Sequence, residues 1–196
     1  MTATTPPTGA AVAAPRRFDA VTIGLHWATV ALVLAQFASA WSLGLAPNRA
    51  DADLVLTLHR SLGAITWVVA AGRLAWRLTC AYLPPFPPAM PRPHRWTATI
   101  SEYGLYGLLL VQPITGLAQT LTRGRPFRLL AWTAPKLMER DKELTHVFGR
   151  IHQLTALALL TLIALHVAAA LFHRLILRDE VLGSMLPWRP GPRGRE

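Results

Sequence analysis

The sequence predicts an all-α integral membrane protein, a bundle of four transmembrane helices. Three observations carry that prediction. The 196-residue chain is 52% hydrophobic and only 15% charged, where a soluble domain carries about a quarter charged residues. Its mean hydropathy is +0.32. Four stretches are long and apolar enough to cross the hydrocarbon core, which takes roughly 20 residues of helix; an open sheet there would leave backbone groups unpaired in lipid.

The first 15 residues, MTATTPPTGAAVAAP, have no periodicity and read as a disordered tail. Between Asp19 and Arg49 run 29 residues without a formal charge. This is too long for the apolar part of a cleaved signal peptide, so the first span is expected over about 20–46. The second is expected over 54–78, with Arg60 near its start and Arg73 and Arg77 near its end, where long side chains reach the interface. The proline-rich linker LPPFPPAMPRP follows and cannot stay helical for long. The third span is expected over 99–122 and the fourth over 149–177, where 23 uncharged residues separate Arg150 from Arg174. The long connection from Arg123 to about Arg150 is basic and includes the apolar stretch FRLLAW, expected to lie partly on the membrane surface. The membrane domain is thus placed at 16–186, with a second disordered tail over 187–196.

The net charge of +10 comes from 20 Lys and Arg against 10 Asp and Glu. Because the basic residues fall between apolar runs, they read as membrane-flanking charges and not as a nucleic-acid surface. Their balance orients the bundle weakly, with 11 on the side of the termini and 9 on the other. The lone cysteine, Cys80, excludes an internal disulfide, a thiolate zinc site, a four-cysteine iron–sulfur cluster and c-type haem attachment.

Any cofactor must therefore be held by other side chains, and histidines occur inside the spans. His26 opens the first, His59 the second, and His152 and His166 mark the two ends of the fourth. His152 and His166 are 14 residues apart, about 21 Å of rise and within roughly 40° of one helix face. Since adjacent spans run antiparallel, His26 shares a depth with His166, and His59 with His152. A single histidine in such a span serves as readily in helix packing. Two pairs at two depths fit two metal-centred groups, and a bare zinc or copper ion usually wants three or four ligands. Iron in a porphyrin needs only axial partners, so two bis-histidine b haems are the economical reading. Small residues near the histidines (Gly24, Gly63, Gly149, Ala156, Ala169, Ala170) would clear a flat macrocycle, although they serve ordinary helix packing equally. Arg60, Arg73, Arg77 and Arg150 are candidate partners for haem propionates, with plain snorkelling to the headgroups as the alternative. His173 reads as interfacial, and His94 and His146, in connections, are given no ligand role.

The runs RFDAVTIGLHW, LHRSLGAITWVVAAGRLAWRL, YGLYGLLLVQPITGL and GRIHQLTALALLTLIALHVAAALFHRLILRDEVLGSML resemble the four helices of the prokaryotic cytochrome b561 family, over residues 16–186. The resemblance implies a bacterial inner-membrane protein with cytoplasmic termini and two b haems, with His26, His59, His152 and His166 at the ligand positions. It implies electron transfer between a periplasmic donor and the quinone pool, with ubiquinone as acceptor. Some relatives are superoxide oxidases, and Arg123, Arg125, Arg128, Lys136, Arg140 and Lys142 could steer such an anion; a merely solvated basic loop is the alternative. A second reading makes the chain the membrane-anchor cytochrome b subunit of a partner dehydrogenase or hydrogenase. A third is a haem-free transporter or scaffold. The expected partners are the bilayer, quinone and a redox protein.

Overall fold

The computed structural model describes residues 17–86, 90–178 and 181–187. The tails expected at 1–15 and 187–196 lie outside the described residues, apart from Pro187. Four helices dominate: α1 (Ala20–Ser42), α2 (Arg49–Thr79), α3 (Arg92–Thr122) and α4 (Lys142–Phe172). A 3-10 turn at Leu43–Leu45 ends the first hydrophobic run, and a π-helical turn at His173–Leu177 extends the last.

Three of the four helices begin or end beyond the expected apolar spans, because polar capping groups set the boundaries. Asn48 accepts from the Asp51 backbone and starts α2 five residues before position 54. Asp141 does the same for α4 through the Leu144 backbone, seven residues before 149. Prolines at the start of α3 suit its first turn, where their missing N–H has no partner to lose. The linker expected to be non-helical is so over its described residues 83–86 and 90–91, but its last residues, Arg92 and Pro93, already belong to α3.

α2 packs against α1 and α3, and α3 against α4. The apolar core joins Ala70, Leu109 and Leu159 with Val33 and Ile163 against it. Leu159 is seven residues from both His152 and His166, so this layer sits midway between the two histidine depths. Buried hydroxyls bond within their own helices, as Thr29 to the Leu25 carbonyl and Thr66 to the Leu62 carbonyl, so these hydroxyls are not left bare in lipid. Leu34, Val68, Leu154 and Leu165 are at least 60% exposed. An apolar rim of this kind faces hydrocarbon.

Three helices, α1 with its 3-10 turn, α2 and α4 with its π turn, are long and apolar enough to cross a membrane. α3, the expected third span, is less apolar than those three, since it carries Glu102, Gln112, Gln119 and an internal Pro113. Glu102, Gln112 and Gln119 meet neighbouring helices, so α3 completes the bundle as its inward-facing polar member.

The stretch FRLLAW forms a β-hairpin, which the sequence did not reveal. β1 (Phe127–Leu129) pairs antiparallel with β2 (Trp132–Ala134), matching Phe127 to Ala134 and Leu129 to Trp132. Its turn holds Leu130 at φ +53°, and the Leu130 N–H donates to Ser61 Oγ at 2.7 Å, tying the hairpin to α2. At the other end of the bundle the start of the described chain meets the segment after α4: Arg17 donates to the Leu186 carbonyl at 2.8 Å, and Trp27 Nε1 to the Met185 carbonyl at 2.9 Å.

Candidate functional site

The bundle brings the four span histidines together as two facing pairs. His26 of α1 and His166 of α4 have ring centroids 6.5 Å apart with planes at 55°. His59 of α2 and His152 of α4 are 6.3 Å apart at 87°. Among the described residues no third His, Cys, Asp or Glu joins either pair. The depth pairing read from helix direction is therefore the pairing seen in space.

At the His26 end, Arg73 Nη2 lies 3.0 Å from His26 Nδ1, the proximity expected from its 14-residue offset to His59. Its guanidinium also stands over the Tyr106 ring at 5.2 Å, while its Nε is buried without a hydrogen-bond partner. Among the described residues Arg73 forms no ion pair. The other arginines are engaged elsewhere. Arg77 makes a 2.7 Å salt bridge with Glu102. Arg60 donates to Thr120 Oγ1 at 3.3 Å and lies over Phe127. Arg150 lines a basic cleft that includes none of the four histidines.

Sequence reasoning missed the groups that hold the imidazoles. His152 Nδ1 lies 3.1 Å from the Gln112 carbonyl and 3.0 Å from Thr115 Oγ1. Gln112 Nε2 donates to the His152 carbonyl at 3.1 Å, and Thr155 Oγ1 donates to Gln112 Oε1. α3, which has no histidine within its expected span, thus supplies the frame for one. His59 Nδ1 meets Ser39 Oγ at 3.0 Å. The available signal was the presence of Gln112 and Thr115 three residues apart in an apolar run, which places them on one helix face.

The glycines near these rings serve differently from one another. A Cβ at Gly24 would meet nothing within 4 Å, so the space beside His26 is open. The notches at Gly63 and Gly149, expected as clearance for a macrocycle, are filled by Gln36 and Gln119, whose amide nitrogens would lie 3.0 and 2.5 Å from an added Cβ. Gly116 lets α3 approach His152, with a Cβ there 3.0 Å from the ring.

Outside the spans, burial opposes ionisation of the Asp19 carboxyl, but bonds from the Thr22 hydroxyl and backbone, Trp76 and Tyr82 outweigh it and hold the group below the usual carboxylate range. It caps α1 while tying that helix to the end of α2.

Residues 17–188 match the family model described as prokaryotic cytochrome b561. The chain is 27% identical over 179 residues to a Yersinia pestis protein named probable superoxide oxidase CybB, covering 90% of this chain and 99% of the relative. It is 28% identical over 177 residues to cytochrome b561 homolog 1 of Escherichia coli K12, covering 88% and 98%. The polytopic helical bundle and the family match together place the chain in the prokaryotic cytochrome b561 family, as a bacterial multi-pass membrane protein that transfers electrons on b-type haem.

Proposed function

We propose that the chain carries two bis-histidine b haems, one between His26 and His166 and one between His59 and His152, and passes single electrons between a periplasmic donor, superoxide, and ubiquinone. The observation that carries this reading is the spacing of the paired rings, 6.5 and 6.3 Å. A metal–nitrogen bond of about 2 Å and a ring centre roughly 1.1 Å from each atom of a five-membered ring with bonds near 1.33 Å give about 6.2 Å between centroids when one metal joins two imidazoles.

Haem, when bound, supplies one-electron chemistry at an iron whose two axial positions are filled, leaving no vacant position for oxygen or substrate. The chain's own residues orient and tune it. Gln112 and Thr115 at His152, and Ser39 at His59, engage Nδ1, the nitrogen a ligating histidine usually gives to its supporting bond; Gln112 Nε2 also lies 3.4 Å from His152 Nε2 and would have to yield that nitrogen to iron. Arg73 behaves differently. An imidazole that accepts from Arg73 at Nδ1 carries its proton on Nε2; were His26 to hold haem through Nε2, its proton would sit on Nδ1 and Arg73 would need another acceptor. A haem propionate meets the need of this buried cation, whose Nε has no partner. The contacts of Arg60 and Arg77 favour structural roles, and Arg150 lines the basic cleft away from the four histidines.

The end bearing the basic connection is assigned to the periplasm and the termini to the cytoplasm. Arg123, Arg125, Arg128, Lys136, Arg140 and Lys142 of the connection give that surface a positive field, which draws an anion such as superoxide toward it. A relative matched over 99% of its length is named a probable superoxide oxidase, which favours an autonomous enzyme over a subunit of a dehydrogenase or hydrogenase.

A pyridine haemochrome assay tests the ligand set. Two haems per chain are expected, falling to one in each of His26→Ala, His59→Ala, His152→Ala and His166→Ala. A wild-type ratio near one, or no loss in the variants, sinks the assignment. Superoxide-driven ubiquinone reduction by the isolated chain is expected; a stoichiometric partner retained through purification, with no such activity, would establish the subunit reading.

A further inference from the structure

At the end of the bundle away from the chain termini, the ends of α3 and α4 and the connection between them enclose a cleft of about 480 Å³ lined by Arg123, Arg125, Arg140, Lys142, His146 and Arg150. The rest of its lining is neutral and includes no carboxylate. Cations gathered this closely repel one another unless an anion sits among them.

The backbone is built to gather them. Gly124 stands at φ +62°, a conformation an L side chain rarely adopts, and a Cβ there would lie 2.5 Å from the Arg140 nitrogen and 2.7 Å from its Cα. The Asp141 N–H then donates to the Thr122 carbonyl at 2.9 Å. These two contacts close the connection into a loop and set Arg123 and Arg125 beside Arg140 and Lys142. The cleft is separate from the histidine pairs. Steps of 100° put Lys142, His146 and Arg150 roughly 80–160° round α4 from His152, and His152 is not in its lining.

We infer that this cleft binds a phosphate group, and that its occupant is the phosphodiester headgroup of an anionic phospholipid. A diatomic anion needs about one or two waters' worth of space, ~30–60 Å³, several times less than the cleft provides. The cleft lies where α3 and α4 end, beside the limits of their apolar runs at Thr122 and Ile151, the depth at which lipid phosphates are expected. The same connection exposes Leu130, Trp132, Leu137 and Met138, each at least 41% accessible. Apolar and indole side chains beside a cationic cleft suit an acyl and headgroup boundary better than open water.

The test uses the full haem-loaded chain, stripped of lipid in a neutral detergent and titrated with phosphatidylglycerol, phosphatidylcholine or inorganic phosphate, with bound lipid read by native mass spectrometry and protection read by thermal melting. Saturable one-to-one binding of phosphatidylglycerol is expected, preferred at least tenfold over phosphatidylcholine. The double variant Arg123→Gln/Arg140→Gln should weaken it roughly 30-fold, taking about 1 kcal/mol for each basic residue at an anionic lipid surface. Lys136→Gln, whose side chain pairs with Glu139 outside the cleft, should leave it unchanged. Should the double variant fail to fold, Arg125→Gln alone is expected to weaken binding about fivefold. Equal retention of the two lipids, equal damage from Lys136→Gln, or protection by inorganic phosphate matching that by phosphatidylglycerol would overturn the inference. Because the readout is lipid binding, its failure leaves the haem assignment standing, and the loss of a haem in a histidine variant leaves the cleft unaffected.

Discussion

Replacing Gly116 by alanine should loosen one haem and spare the other. The new methyl would lie 3.0 Å from His152 Cε1, 3.3 Å from Nδ1 and 3.6 Å from Nε2, where carbon atoms prefer about 3.5–4.0 Å. The ring must retreat by about half an ångström, yet its Nδ1 is held by the Gln112 carbonyl at 3.1 Å and Thr115 Oγ1 at 3.0 Å. Overpacking of this kind costs about 1–3 kcal/mol, and removing a mid-helix glycine returns roughly 0.5–1 kcal/mol. The net, about 0.5–2 kcal/mol, corresponds to a 2–30-fold weaker hold on the haem between His59 and His152. Haem transfer to an excess of a haem-scavenging protein, followed by absorbance, measures this directly: one of the two phases should accelerate and the other stay as in the wild type. Gly107→Ala, on the same helix with nothing within 4 Å of its added Cβ, should change neither phase. Equal acceleration of both phases, or none, would refute the placement of α3 against His152.

Other consequences can be measured independently. Arg73→Gln removes a cation 3.0 Å from His26, which stabilises oxidised haem; the midpoint potential of the haem at His26 and His166 should fall by some tens of millivolts, to ~100 mV, in a spectroelectrochemical titration, and an upward shift would contradict the proposed role. Asp19→Ala removes the cap of α1 and the acceptor of Trp76, so thermal stability should drop by about 1 kcal/mol. Because the folded state holds the Asp19 carboxyl below its ordinary range, its contribution is present above the unfolded-state pKa and is lost as pH falls through the lower folded value; the gap between wild type and Asp19→Ala should close in acid melts. Gly124→Ala forces a side chain into the left-handed region at about 1–2 kcal/mol, besides its contact with Arg140, and should lower the melting temperature while increasing proteolytic nicking near 123–140.

Much of the molecule follows from local chemistry that a sequence displays. Apolar run length set four helices, since lipid leaves the backbone no other way to pair its N–H and C=O groups. Helix direction and rise paired His26 with His166 and His59 with His152, because a 14-residue offset is nearly a whole number of turns. The same arithmetic placed Arg73 at the far histidine. What tertiary structure decided is where chain segments distant in sequence come into contact. α3 has no ligand of its own, yet its Gln112 and Thr115 frame His152, and its polar residues make sense only facing inward. Arg77 meets Glu102 and Arg60 meets Phe127, partners that no periodicity marks. The hairpin at Phe127–Ala134 is tied to α2 by the bond to Ser61 and by Arg60 over Phe127, and the basic cleft exists because Gly124 lets two ends of a connection touch. Periodicity reports which face a residue occupies; only packing settles which neighbour stands opposite it, since side-chain contacts depend on the positions of elements far apart along the chain.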